Sequence, residues 1–468
     1  MSGSTECPAG CRVDALRARE FPYLDAAGRA YLDHTGAALP PVSLVRGHAE
    51  RLAGGVFGNP HAAGPASRAS TALAEEARAA VLSFCGAPAD EYVVVFTANA
   101  TAAIRLVAES CLTARSDGPL VLLADNHNSV LGMRRYASRA GVPVGVVPLR
   151  ADLTADWESV SACLDGCEAV AGPGLLAYPA QSNATGVRHP LSWVAGARRR
   201  GWRVLLDAAA HAPTGPLDLS AVPADFVVLS WYKITGYPSG VGCLVARREA
   251  LARLRRPWFA GGTVLASSAR TDWHLPAPAP EGFEDGTPPF LLLPDVTAAV
   301  AWYRAVGRPA FAGHAAALTR RLLDGLARLA HPGGAPAAVV LGPPADADRG
   351  PVVAFNLLRA DGSVLDERLC LDAASAAGID VRSGCFCNPG VAEAVNGMTP
   401  GVVRDALARG APEDVDAYLR LLRVPAQGAV RASPGAAANA ADVDRLLAVC
   451  AEVASGPATR HSGPRVGC

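Results

Sequence analysis

Residues 225–242 read DFVVLSWYKITGYPSGVG, and the order of residue types in this stretch decides the fold class. Phe226–Leu229 is an unbroken apolar run, as expected of a strand buried on both faces. It ends at Ser230-Trp231-Tyr232-Lys233, and a loop with Gly236, Pro238, Ser239, Gly240 and Gly242 follows. A lysine just past the carboxyl end of a buried strand sits where open α/β sheets place their ligands. Desolvation there favours the neutral amine, which can attack a carbonyl. Strand-end lysines more often simply face solvent, so the other strand ends must discriminate.

Outward from this stretch the same pattern repeats. Strands are expected at Tyr92–Phe96, Leu120–Leu123, Val144–Val147, Leu175–Tyr178, Val204–Leu206 and Cys243–Ala246, joined largely by helical crossovers. Continuous apolar strands with such crossovers define an α/β fold with a mostly parallel sheet covered on both faces. Ser67–Cys85 is expected to be a helix, with Leu73, Ala77, Ala80, Val81 and Phe84 along one face. Phe21–Leu39 suggests a hairpin-like turn around Ala26–Arg29, then a small-residue loop with Asp33 and His34 close to a ligand. The expected organisation is a leader over 1–20, a large domain over 21–294, a smaller α+β domain over 295–456 and a flexible tail over 457–468. The smaller domain would open with helices around Asp295–Val306 and Ala316–Leu329. A strand at Val352–Leu357 and a helix at Ala411–Leu422 would follow.

Composition narrows the function classes. Among 468 residues, 43 basic and 43 acidic side chains cancel, which argues against nucleic acid or an anionic membrane surface as the main partner. No stretch has the length and apolarity of a membrane span, and the N-terminus lacks a secretory apolar core, so a cytoplasmic location is expected. The 12 cysteines are scattered with no C-x-x-C pair, which fits neither a zinc ribbon nor a small disulfide scaffold; no metal site is expected.

Several strand ends carry chemistry. Val204–Leu206 runs into Asp207, a carboxylate that needs a cation or donor if buried; a helix cap is the commoner use of such a residue. Thr97–Thr101 turns from a strand into a helix, and its amides and the Thr101 hydroxyl suit a phosphate or simply cap the helix. His127 follows another strand and can stack on a flat ring or serve structurally. Pro179–Gly186 follows a further strand with polar groups at Gln181, Ser182 and Asn183. Far along the chain, Val381–Gly390 reads VRSGCFCNPG: two cysteines in a Gly/Pro/Asn loop beside an arginine, a setting that favours a thiolate, with a buried C-x-C or a two-ligand metal fragment as the alternatives.

Taken in order, these segments resemble the class V group of fold-type I pyridoxal-phosphate enzymes, the aminotransferase-like and cysteine-desulfurase family. YLDHTGAALP, YPAQSNATGVRHPLSW, LLDAAA, PLDLS, ADFVVLSWYK, FEDGT and RSGCFCNPG are similar to segments of the N-terminal desulfurase domain of molybdenum-cofactor sulfurases. The resemblance implies pyridoxal 5′-phosphate bound through Lys233 as a Schiff base, with Asp207 on the ring nitrogen, His127 stacked on the ring and Asn183 at the phenolic oxygen. Ala100, Thr101, Ser230 and Tyr232 would bind the phosphate, and Thr287 would reach the phosphate of a second subunit in a homodimer. Cys387 would accept sulfur, with Cys385 as a weaker candidate or relay thiol. Arg431, Arg382 and His34 would bind the amino-acid substrate, Arg431 gripping its carboxylate. One departure is Ala210, where many desulfurases carry a glutamine; the cofactor-sulfurase branch tends to have alanine there.

The activity so implied is desulfuration of L-cysteine to L-alanine, with the sulfur passed to an acceptor protein or small molecule. Another class V chemistry, a C–S or C–C lyase, aminotransferase or epimerase, remains open, as does a silent relative acting as a binding partner. Lys233 and Asp207 together argue against the silent relative, and Cys387 separates desulfurase from lyase, because only the desulfurase needs an acceptor thiol.

Overall fold

The computed structural model describes residues 9–60, 62–167, 172–424, 428–456, 461 and 463–465. Its centre is a seven-stranded sheet: β1 (Tyr92–Thr97), β2 (Leu120–Leu123), β3 (Val144–Val147), β4 (Leu175–Pro179), β5 (Arg203–Asp207), β6 (Phe226–Ser230) and β7 (Gly242–Arg247), in the order β1-β7-β6-β5-β4-β2-β3. All neighbours are parallel except β7, which is antiparallel to both β1 and β6. The reason lies in the opening stretch. After β6 the chain makes only a short helix, Trp231–Thr235, and Gly236 at φ +73° reverses it at once. Without a long crossover the next strand must return antiparallel. A Cβ on Gly236 would also lie 2.3 Å from the Leu39 carbonyl carbon, so both backbone conformation and space require glycine there.

Alternation explains why β6 is apolar throughout. Phe226 and Val228 pack into one core with Ala177, Leu122 and Leu205. Val227 and Leu229 face the other with Leu176, Leu123 and Leu206. Each such side chain contributes roughly 1.5–3 kcal/mol on burial, so a polar residue at any of the four would be costly. Because β1, β2, β4, β5 and β6 run the same way, their carboxyl ends share one edge of the sheet.

The second unit is an antiparallel sheet of β8 (Ala338–Leu341), β9 (Val353–Leu357), β10 (Arg382–Gly384) and β11 (Ala429–Ala432), ordered β8-β9-β11-β10. Helices Arg308–Arg328, Glu367–Ala376 and Ala440–Ser455 supply Leu322, Leu326, Cys370, Leu446 and Cys450 to its core. Two boundaries differ from the expectation. Helix Leu293–Val306 buries Leu293, Val296, Val300 and Tyr303 in the large core, so it belongs there rather than to the second unit.

At the other end, Ala9–Glu20 is a helix, and Arg17 joins it to Asp442 at 2.6 Å. The expected hairpin near residue 27 is instead a short helix, Pro22–Ala26, started by a proline at a position where no backbone N–H is needed. The chain then pairs Ala30–Tyr31 parallel with Ile379–Asp380 and places Leu32 in the smaller core. Residues 9–40 thus span both units.

Candidate active site

The shared sheet edge carries a cavity of about 150 Å3 lined by Ala100, Thr101, His127, Asn183, Asp207, Ser230, Tyr232 and Lys233. Eight residues expected from separate strand ends therefore meet in one place. Lys233 sits on the short helix after β6, and burial pushes its ammonium below the ordinary value, opposed by Asp207 and reinforced by Arg431 and Arg382. Asp207 closes β5; its Oδ1 accepts from the Ala209 amide at 3.0 Å, and among the described residues its other oxygen has no donor.

The helix Ala100–Cys111 begins at the cavity, capped by Asn99, whose Oδ1 accepts from the Ala102 amide at 2.9 Å. Its first amide, Ala100 N–H, donates to Ser230 Oγ at 2.9 Å, which leaves the serine hydroxyl proton for another acceptor. Thr101 Oγ1 lies 2.7 Å from Ser129 Oγ. Ser129 also donates its amide to His127 Nδ1 at 3.2 Å, so the neutral ring carries its proton on Nε2. Burial, and then repulsion from Lys233, lowers the His127 pKa. Helix-end amides and hydroxyls for a phosphate, an open carboxylate for a ring nitrogen, an imidazole and a buried amine whose charge desolvation disfavours make a donor set that fits pyridoxal phosphate.

The loop from the smaller sheet completes the wall. Phe386 and Cys387 both take positive φ, +56° and +54°, conformations that non-glycine residues rarely hold. Hydrogen bonds fix them: Asn183 Nδ2 donates to the Phe386 carbonyl at 2.8 Å, and the Asn128 amide to the Cys387 carbonyl at 2.7 Å. Asn388 Nδ2 donates to the Asp125 carbonyl at 2.7 Å and to Asn183 Oδ1 at 3.1 Å. Cys387 carries a free thiol close enough to act on the charge of Lys233. Cys385, read as a relay thiol, is disulfide-bonded.

Arg431, on β11, is 2% exposed and lies over the Phe386 ring at 4.9 Å. Its Nη1 donates to the Asn183 carbonyl at 3.0 Å, its Nη2 to Asp33 Oδ1 at 2.7 Å, and its Nε has no partner. Arg382 donates through Nε and Nη2 to Asp33 Oδ2 at 3.1 and 2.8 Å. Asp33 therefore bridges the two arginines.

Two expected residues lie elsewhere. His34 packs against Phe311 at 5.6 Å, is 7% exposed and leaves Nε2 unpaired, because extended chain sends Asp33 to the site and its neighbour to the opposite side. Thr287 is exposed, away from this chain's cavity, with Asn59 Nδ2 at 3.4 Å. Sequence reasoning placed Asp33 near a ligand and noted Gln181 but gave neither a role, and it missed Ser129 and Asn388. Gln181 lines the cavity and donates to the Ala210 carbonyl at 2.9 Å. All four lie within or beside segments that had already attracted attention, but their roles depend on partners from distant strands. Among the described residues no cluster of three or more His, Cys, Asp or Glu is placed to hold a metal, and no helix is long and apolar enough to cross a membrane.

The sequence matches the aminotransferase class-V family over residues 30–446, and the chain belongs to that family, whose members imply pyridoxal phosphate as cofactor. It is similar to the molybdenum cofactor sulfurase of Bos taurus, 37% identical over 461 residues, which cover 92% of this chain and 51% of that protein. The Homo sapiens protein of the same name is 35% identical over 463 residues, covering 92% and 50%. The chain spans about half the length of these curated relatives. Among solved structures, the apo cysteine desulfurase of Thermococcus onnurineus NA1 superposes with a TM-score of 0.77 at 24% identity, covering 97% of this chain and all of that one, and it establishes the same fold.

Proposed function

We propose that the chain is a pyridoxal-phosphate-dependent cysteine desulfurase that converts L-cysteine to L-alanine and holds the sulfur as a persulfide on Cys387. The observation that carries this reading is Cys387 itself: a free thiol on a loop in unfavourable backbone conformation, tied by hydrogen bonds to the rim of the lysine cavity. A lyase or aminotransferase has no use for a thiol so placed. The relatives named as molybdenum cofactor sulfurases and the structural likeness to desulfurases support it.

Asp207 would hold the pyridine nitrogen, and Ala100, Thr101, Ser230 and Tyr232 the phosphate, with His127 stacked on the ring and Asn183 near the phenolic oxygen. When bound, the cofactor supplies the sink for the electron pair released at the substrate α-carbon. Lys233, whose amine burial makes easier to deprotonate, takes the α-proton and later returns a proton. Arg431 holds the substrate carboxylate, using Nε and the Nη2 now shared with Asp33, and Arg382 adds positive charge beside it. The Cys387 thiolate attacks the substrate sulfur. A sulfur–sulfur bond forms, the substrate carbon–sulfur bond breaks, and alanine leaves once its carbon is protonated. An acceptor protein or small molecule then takes the outer sulfur.

A homodimer fits the surface. Leu265, Trp273, Leu275 and Trp258 stand 65%, 54%, 47% and 43% exposed around the Val264–Pro276 hairpin, and exposed Thr287 would reach the phosphate of the second copy. The eight free thiols among the described residues fit a cytoplasmic setting, with the disulfide-bonded Cys385 as the exception. The test is alanine and sulfide release from cysteine by wild type and Cys387→Ala. Wild type is expected to form alanine and the variant to lose it while keeping the cofactor's visible absorption. No alanine from wild type refutes the proposal.

A further inference from the structure

Away from the cofactor cavity, a larger cleft of about 490 Å3 lies between the two units, within the usual range for small-ligand sites. Its walls come from Thr214 after β5, from helix Arg308–Arg328 through Arg320, from Arg188, and from the loop that carries Arg349. The cations are not equivalent. Arg188 is committed to Asp348 at 2.9 Å and approaches Gln181 at 3.4 Å. Arg349 donates to the backbone carbonyls of Pro343, Thr185 and Val352, and its buried Nε has no partner. Among the described residues neither Arg349 nor Arg320 is paired with a carboxylate. Thr214 is 4% exposed, and its hydroxyl also lacks a partner.

Burying a guanidinium without a counter-charge is costly, and an orphaned hydroxyl beside it adds to the cost. With no carboxylate alongside, burial lowers the Arg349 pKa to about 10, so the group remains a cation at neutral pH. A ligand that brings negative charge and acceptor oxygens satisfies all these groups at once, and planar guanidinium forks match the oxygens of phosphate and carboxylate.

We infer that this cleft is a binding site for a small oxyanion, an organic phosphate or carboxylate, held by Arg320, Arg349 and the Thr214 hydroxyl. The site is separate from the cofactor cavity and does not depend on the desulfurase reading. Isothermal titration calorimetry on the cofactor-loaded protein tests it, because loading occupies the other phosphate site. Inorganic phosphate and succinate are titrated separately at constant ionic strength, with chloride as control, and the tighter of the two identifies the oxyanion.

The variants are Arg320→Ala, at an exposed residue with no hydrogen bond or ion pair among the described residues, and Thr214→Val, which keeps the shape and removes the hydroxyl. Arg349 is left intact, since it also secures its own loop. Saturable binding at one site per chain is expected for at least one anion. Arg320→Ala should weaken it about tenfold or more, and Thr214→Val severalfold, with unchanged visible cofactor spectra. No saturable heat from either anion, or affinity unchanged in either variant, overturns the inference.

Discussion

Asp33 offers the most direct test of how the arginines at the site are held. Its carboxylate accepts three N–H groups, two from Arg382 at 3.1 and 2.8 Å and one from Arg431 at 2.7 Å. Arg431 is 2% exposed, and burial already lowers its pKa, so Asp33→Asn leaves a desolvated cation without its counter-charge. Breaking a buried pair in this way costs about 3–5 kcal/mol. With an unfolding entropy of roughly 2 cal/mol/K per residue, a chain of this length should melt about 3–5 °C lower if it unfolds as one unit. The distinctive expectation concerns rescue. Propionate, a carboxylate with no amine to react, should replace the missing charge at Arg431 and raise the melting temperature of the variant more than that of wild type. Equal melting of variant and wild type, or equal protection of both by propionate, refutes the reasoning.

Two further outcomes follow from the structure. His34 is buried neutral with its pKa lowered from 6.5 to about 4, so the unfolded chain binds the extra proton first as pH falls. Its contribution is present above pH 6.5 and lost towards pH 4, roughly 3 kcal/mol in all; His34→Leu should flatten the denaturation midpoint across that window, and an unchanged slope counts against the assignment. At Gly390, a Cβ would lie 1.9 Å from the Ala124 carbonyl oxygen; Gly390→Ala should push the Cys387 loop off the cavity, abolishing alanine formation while the cofactor spectrum persists, and retained turnover would show that the loop does not need that contact.

The sheet was legible because strands buried on both faces leave a simple signature. Phe226–Leu229 and its counterparts are apolar throughout, and the polar residue that ends each run marks the site edge. Lys233, Asp207, His127 and Thr101 stood out as candidates for that reason, and their roles came from the family resemblance. The role of Asp33 was not legible, because its importance comes from two arginines roughly 350 and 400 residues away, and pairs so separated leave no local pattern. His34 was misplaced by one step of strand alternation. The unit boundary near residue 294 was placed early because the sequence of helix Leu293–Val306 does not tell which core it serves, and only its packing shows that.

The two units have different tasks, and the Cys387 loop shows why both are needed. The large sheet alone assembles the lysine, carboxylate and phosphate-binding groups, since its parallel strands end at one edge. The proposed sulfur transfer would also require a thiol that reaches into this edge and afterwards hands its cargo outward. A thiol on the large sheet itself would be too firmly packed for the second task. Here it sits on a loop leaving β10, between Phe386 and Asn388, and crosses to the large unit through a few hydrogen bonds. Two adjacent left-handed residues cost on the order of 1–3 kcal/mol each, comparable to the roughly 0.5–1.5 kcal/mol net return of each hydrogen bond that fixes them. The loop is thus held by a small margin. That balance would suit the carrier role proposed for Cys387: strong enough to set the thiol against a substrate sulfur, and weak enough for an acceptor to draw the loaded cysteine away.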